Sequence, residues 1–216
     1  MKPFSALVAI LLLCASSLAQ VAKPQSATKI VEKCGPPTSD ILKCPRFGFT
    51  YKIPFGWVNR TDEIGNETAA PSGETNNSGT LPPGSETLLA IFERPPGAPG
   101  ETINSAVVIA AEPLANYHGL KTAADYFGPI MELAEQRGFK AESDPYTFSV
   151  GTKQLVRGDF SKPRGSLTMW QSSLVMIEKG YVVSFTFLGG SEDEVEELVE
   201  NLSFALNRRQ KQVPHR

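Results

Sequence analysis

The chain has 216 residues, with 21 Lys and Arg against 23 Asp and Glu and a formal charge of −2. That length suits one domain with a sizeable core. The weakly acidic balance argues against a nucleic-acid partner, whose phosphates favour a strongly basic face.

In chain order, the first feature lies before the domain. Lys2 precedes an apolar run from Ala6 to Leu13, and Ser17-Leu18-Ala19 supplies the small residues that signal peptidase reads ahead of Gln20. Residues 1–19 therefore read as a signal peptide cut near Ala19. The mature protein is expected outside the cytoplasm, in a periplasm or secreted. The apolar run is too short for a permanent transmembrane helix, and no later segment approaches its length, so no transmembrane segment is expected in the mature chain. Leu13 stands where a lipoprotein has a small residue before Cys14, which argues against lipidation. Loss of Lys2 takes the formal charge from −2 to −3.

Residues 20–44 form a polar, Pro-containing leader. Cys34 and Cys44 remain after cleavage, and an even count in an oxidising compartment implies a disulfide. Gly35-Pro36-Pro37 lets the intervening nine residues turn. That spacing does not match a redox C-x-x-C, and no histidine lies near to share a metal. Closing such a loop contributes roughly 2–3 kcal/mol. The bridge is expected to staple the N-terminal segment onto the domain, outside its core.

The domain is expected over residues 45–208, with a tail at 209–216. Phe47 to Ile53 alternates apolar and polar residues and predicts a strand. Pro54 ends its pairing and Gly56 permits a turn, after which Trp57 folds back. Residues 59–85 are poor in apolar side chains and read as a long polar surface loop. Leu88 to Phe92 and Ala106 to Ala111 are apolar runs of strand length. Thr122 to Arg137 carries Tyr126, Phe127, Ile130, Met131 and Ala134 at helical spacing, capped by Thr122 and ended by Gly138. Pro129 conflicts with an unbroken helix and should kink or split it. Four strands follow, at Tyr146 to Val150, Lys153 to Phe160, Ser166 to Ile177 and Tyr181 to Leu188. Glu178-Lys179-Gly180 joins the last two as a hairpin. In "YVVSFTFL", Tyr181, Val183, Phe185 and Phe187 share one face. Ser191 and Glu194 form a capping box for a final helix. Its stripe is Val195, Leu198, Val199, Leu202 and Leu206, with Arg208 and Arg209 at the favourable end of the dipole. Strands, a helix, more strands and a helix predict an α+β domain with a largely antiparallel sheet.

This order resembles the PsbP-like superfamily, a fold shared with the Ran-binding Mog proteins and many small exported bacterial proteins. The residues that carry the resemblance are "FGFTYKIPFGW", the mid-chain helix, "QSSLVMIEKGYVVSFTF" and "SEDEVEELVENLSF", from about Phe47 to Leu206. It implies an antiparallel sheet with helices packed on its faces, and a mostly non-enzymatic family of accessory and binding proteins. The long polar insert after Trp57 departs from a compact version of the pattern. No family binding residue is carried over.

Chemistry-bearing residues are few. His118 lies in a loop and His215 in the tail, and neither has a nucleophile beside it. No nucleophile-elbow or phosphate-loop motif occurs. Glu192, Asp193, Glu194, Glu196, Glu197 and Glu200 lie in the first turns of a helix, where the dipole favours acids, rather than on a calcium loop. Arg157-Gly158-Asp159 sits inside a strand, which argues against an integrin-type role. Asn59, Asn66, Asn76 and Asn201 head glycosylation sequons that matter only in a glycosylating host. Trp57, Trp170 and Tyr126 could line a cleft between helix and sheet, although core packing is the simpler expectation. The expected function is an exported, non-enzymatic binding or accessory protein, taking a protein or small-molecule partner without cofactor or metal. The alternative is an exported hydrolase built on carboxylates such as Asp125 and Asp159.

Overall fold

The computed structural model describes residues 33–69 and 82–204. The signal-peptide segment, most of the leader, His215, Arg208, Arg209 and the tail lie outside the described residues.

The fold is α+β. Strands β1 (Ile41–Cys44), β2 (Phe49–Lys52) and β3 (Val58–Asn59) precede helix α1 (Thr61–Ala69). Next come β4 (Glu86–Phe92), β5 (Ala106–Pro113), a 3₁₀ turn at Leu114–Asn116, and helix α2 (Phe127–Gln136). Strands β6 (Lys140–Ala141), β7 (Tyr146–Val150), β8 (Lys153–Arg164), β9 (Leu167–Glu178) and β10 (Tyr181–Gly189) follow. Helix α3 (Glu192–Glu200) and strand β11 (Leu202–Phe204) close the described chain. All pairings are antiparallel. A large sheet runs β3-β4-β5-β10-β9-β8-β6, with β7 also on β8, and a small sheet runs β1-β2-β11.

Alternation in the large sheet sorts its side chains onto two faces. Leu174, Met176, Val183, Phe185 and Phe187 meet the small sheet and Val195, Leu198 and Val199 of α3. Phe160, Val175 and Val182 meet Tyr126, Phe127 and Ala134 from α2 and the turn before it. Helices therefore cover both faces, as the PsbP-like resemblance implies. The residues expected to share one face of β10 pack together towards the small sheet and α3, where Val183, Phe185 and Phe187 are fully buried. Phe49 of β2 meets Phe185 edge-on, with ring centroids 5.1 Å apart.

Several boundaries differ from the sequence expectation. Cys34 and Cys44 form the expected disulfide. Its loop is not outside the core, because it contains β1, whose Leu42 and Cys44 are fully buried. The ordered domain thus begins before residue 45. The expected polar loop from residue 59 is shorter than read. Asn59 Oδ1 accepts from the Thr61 amide at 2.9 Å, and Thr61 Oγ1 accepts from the Ala90 amide at 3.0 Å. These bonds start α1 against β4, and Asp62 and Glu63 suit its first turn. Residues 82–85 are irregular, and 70–81 lie outside the described residues.

Helix α2 begins at Phe127, not Thr122, which removes the conflict with Pro129. In the first turn its missing N–H is one the helix could not use. Residues 122–126 form a separate turn in which Asp125 Oδ2 accepts from the Lys121 and Thr122 amides at 2.9 and 2.8 Å. These backbone donors hold the Asp125 carboxyl below its ordinary pKa. Ser191 caps α3 as expected, accepting from the Glu194 amide at 3.1 Å. The helix stops at Glu200, so Leu202 is buried from a strand, opposite Tyr51 of β2. Leu206 lies outside the described residues.

Gly158 of β8 shows the tolerance between sheet and helix. A Cβ there would lie 2.5 Å from Cε1 of the buried Phe127 ring. Gly158→Ala should therefore cost about 1–3 kcal/mol through forced repacking, read as a lower denaturation midpoint with an unchanged slope. Leu202→Ala should cost about 2–5 kcal/mol, while Glu197→Ala, on the exposed side of α3, should change stability little. Thermal melts of the two variants side by side check this, and equal small shifts would mean that this end of the chain is peripheral.

Candidate functional site

Strand β8 carries Arg157, Gly158 and Asp159 in succession. Register with β9 pairs Arg157 with Leu174 and Asp159 with Ser172, so both charged side chains face α3. The glycine between them faces α2. Arg157 is buried, and a buried guanidinium needs neutralising partners. It finds two. Nε donates to Asp159 Oδ1 at 2.8 Å, Nη1 donates to Glu196 Oε2 at 3.1 Å, and Nη2 bonds Glu196 Oε1. The guanidinium also stacks 4.9 Å over the Phe148 ring of β7. Burial alone would lower the arginine pKa, but Glu196 and Asp159 outweigh it and hold the group above its ordinary value.

Asp159 Oδ2 accepts from the Tyr146 hydroxyl at 2.8 Å. Burial first, and then this bond, push the phenol up to about 12. Above these groups lies a concavity of about 290 Å³ between α3, β7, β8 and β9. Trp170, Tyr146, Arg157, Asp159, Glu192 and Glu196 line it, and Glu142 from the β6–β7 connection completes its rim. Ser161 donates to Glu142.

A second polar cluster sits on the opposite face. Glu112 of β5 is buried, and no ion pair to it occurs among the described residues. Tyr126 donates to its Oε1 at 2.6 Å, and Tyr117 donates to its other oxygen. The two rings meet edge-on at 5.0 Å. Burial and the bond to Glu112 push Tyr117 up to about 12 and Tyr126 further in the same direction. This cluster satisfies one buried carboxylate and ties the 3₁₀ turn and the α2 entry to the sheet.

The three aromatic residues singled out in the sequence do not converge. Trp170 lines the pocket, Tyr126 belongs to the Glu112 cluster, and Trp57 packs partly buried against the larger core cluster. His118 is exposed. Asp159 is in the pocket, whereas Asp125 caps the turn before α2, on the other face. The acidic run of α3 divides. Glu192 and Glu196 line the pocket, while Glu194 accepts from the Gly190 amide at 2.7 Å and from Ser105. Sequence reasoning did not find Arg157, Tyr146 or Glu142 as site residues. The available signal was a strand placing an arginine and an aspartate two residues apart, hence on one face. Among the described residues, no group of three or more His, Cys, Asp and Glu could hold a metal ion, and no helix is long and apolar enough to cross a membrane.

No family model matches the chain, and no curated protein matches it. Several solved structures are similar in fold. The cyanobacterial PsbP of Synechocystis is 15% identical, with 81% of this chain and 99% of that chain covered at a TM-score of 0.44. The Saccharomyces cerevisiae Ran-binding protein Mog1p is 12% identical, with 73% and 80% covered at 0.38. LpqN, involved in cell envelope biogenesis of Mycobacterium tuberculosis, is 13% identical, with 73% and 83% covered at 0.36. The first two are the groups that the order of sequence motifs resembles. At these identities and scores the likeness concerns strands and helices and says nothing of the pocket.

The raised phenols set an alkaline limit. Unfolded tyrosine ionises near pH 10, whereas Tyr146 and Tyr117 hold their protons to about 12. The folded state then binds more protons than the unfolded chain, so stability falls with rising pH. Their contribution should be complete below about pH 10 and lost as pH climbs towards 12. Denaturant titrations across that window should show the decline, and Tyr117→Phe should flatten part of it. Stability constant through the window would contradict the assignment.

Proposed function

We propose that the protein is an exported, non-catalytic binding module whose partner engages the pocket between α3 and strands β7 to β9. The observation that carries this is the preformed concavity of about 290 Å³, rimmed by Trp170 and Tyr146 and floored by the cross-braced Arg157. Sites with aromatic walls and a few fixed polar groups are the usual form of a binding pocket. Export rests on the signal-peptide character of residues 1–19 and on the Cys34–Cys44 disulfide, a bond that persists in oxidising compartments.

The carboxylates considered for a hydrolase support the non-catalytic side. Asp159 engages Arg157 with one oxygen and Tyr146 with the other, and Asp125 is bound to the backbone of its own turn. They face opposite sides of the sheet, so they cannot share one substrate as acid and base.

Immobilised mature protein, incubated with the exported fraction of its own cell, tests the proposal. Wild type and a Leu133→Ala control on exposed α2 should retain the same partner, and Trp170→Ala should lose it. Equal retention by Trp170→Ala would place the partner elsewhere. A hydrolase activity abolished by Asp159→Asn would overturn the non-catalytic reading.

A further inference from the structure

We infer that the pocket seats one basic side chain, a lysine or an arginine, of a partner protein. The inference rests on the pocket being the binding site and adds the chemistry it selects. Four carboxylates, Glu142, Asp159, Glu192 and Glu196, line the cavity against one cation, Arg157. They come from a loop, a strand and a helix, so their convergence is not the acidic face of one helix. Arg157 is committed to Asp159 and Glu196. Among the described residues, the Glu142 side chain bonds only the neutral Ser161 hydroxyl, and Glu192 has no ionic or hydrogen-bonding side-chain partner. The cavity thus holds an excess of negative charge in a concave wall, which focuses its field outward. An incoming anion would be repelled, and an incoming cation would complete the neutralisation.

Size and shape narrow the cation. The carboxylates do not assemble as a metal-ligand set among the described residues. A volume of about 290 Å³ stands at the lower bound for ligand pockets, enough for one long side chain. Trp170 and Tyr146 line the cavity, and aromatic rings attract a cationic head and cover an aliphatic stem. A lysine or arginine meets both demands at once. The buried Val195 gives the stem an apolar wall.

The test is a titration of isotope-labelled mature protein with capped Ala-Lys-Ala, Ala-Arg-Ala, Ala-Glu-Ala and Ala-Leu-Ala peptides and with putrescine. The indole N–H resonance of Trp170 reports the pocket, and that of Trp57 is the internal reference. The basic peptides should shift Trp170 and leave Trp57 in place, and added salt should weaken the effect. Glu192→Gln should weaken binding about 2- to 5-fold, the loss of one exposed charge pair. Its side chain makes no hydrogen bond or ion pair among the described residues, so the fold should be intact. A basic-peptide shift insensitive to salt and to Glu192→Gln would overturn the inference. So would an equal or larger shift with the Glu or Leu peptide, although the pocket would then remain a binding site for a different group. Putrescine binding more tightly than either basic peptide would replace the partner side chain by a free amine. If no probe moves Trp170, the basic-group inference fails, and loss of partner retention by Trp170→Ala still decides the pocket separately.

Discussion

A buried guanidinium governs the arrangement around it. Arg157 sits on a central face of β8, buried where water can do little to solvate it, so the fold must supply its counter-charges. Asp159 does so from the same strand, and Glu196 from α3. Such a network is weak evidence for stability, since desolvation offsets much of its attraction. Its consequence is geometric. Glu196 bonds two guanidinium nitrogens, a bidentate contact that favours one orientation of α3 about its axis. Tyr146 then finds Asp159 Oδ2, and Phe148 lies under the guanidinium, which positions β7. The residue between the two charges is glycine, and that allows the Phe127 ring of α2 to approach the other face. One tripeptide therefore sets the spacing of both layers, and it is structural rather than a displayed recognition motif.

The two faces solve the problem of a buried charge differently. Glu112 is satisfied by hydrogen bonds from two phenols that keep their protons into alkaline pH. That arrangement closes on itself, with both carboxylate oxygens engaged by the phenols and the group buried away from any partner. Around Arg157 the acids outnumber the cation, and a cavity stays open beside them. The imbalance costs stability through like-charge repulsion unless something compensates it. The helix dipole does so in part, because Glu192 lies in the first turn of α3. It cannot do so for Glu142, which belongs to a different element.

Local patterns made much of the fold legible. Alternation in "YVVSFTFL" set Tyr181, Val183, Phe185 and Phe187 on one face of β10, and Ser191 with Glu194 named the start of α3. The misses share a cause. α1 forms because Asn59 caps Thr61 and Thr61 accepts from the Ala90 amide, a contact 29 residues apart that composition hides under Gly, Asn and Thr. Leu202 looked like the next turn of a helix, because its spacing suits the apolar stripe. Pairing of β11 with β2 overrode that spacing. The pocket was legible only in fragments. Trp170 and Asp159 were each noticed, for unrelated reasons. What joins them is the β8–β9 register, which places Ser161 opposite Trp170 and Asp159 opposite Ser172. Register is a non-local choice, so no window of sequence contains it.

The way α3 is held explains why the cavity exists before any partner arrives. Its first turn is capped by Ser191, and Glu194 reaches back to Gly190 and across to Ser105. Its middle is fixed by the Glu196–Arg157 pair. Its last turn receives the buried Tyr51 hydroxyl, which donates to the Leu198 carbonyl at 3.1 Å. Immediately beyond, β11 joins the small sheet through β2. The same sheet takes in β1, which the Cys34–Cys44 bridge encloses. The helix is therefore tethered at its start, its centre and its end to three different parts of the structure. A wall braced in this way loses little conformational freedom when a ligand enters, so more of the interaction free energy appears as affinity. Side chains at the rim, Glu192 and Glu142, remain exposed, and any adjustment on binding falls to them rather than to the backbone that carries them.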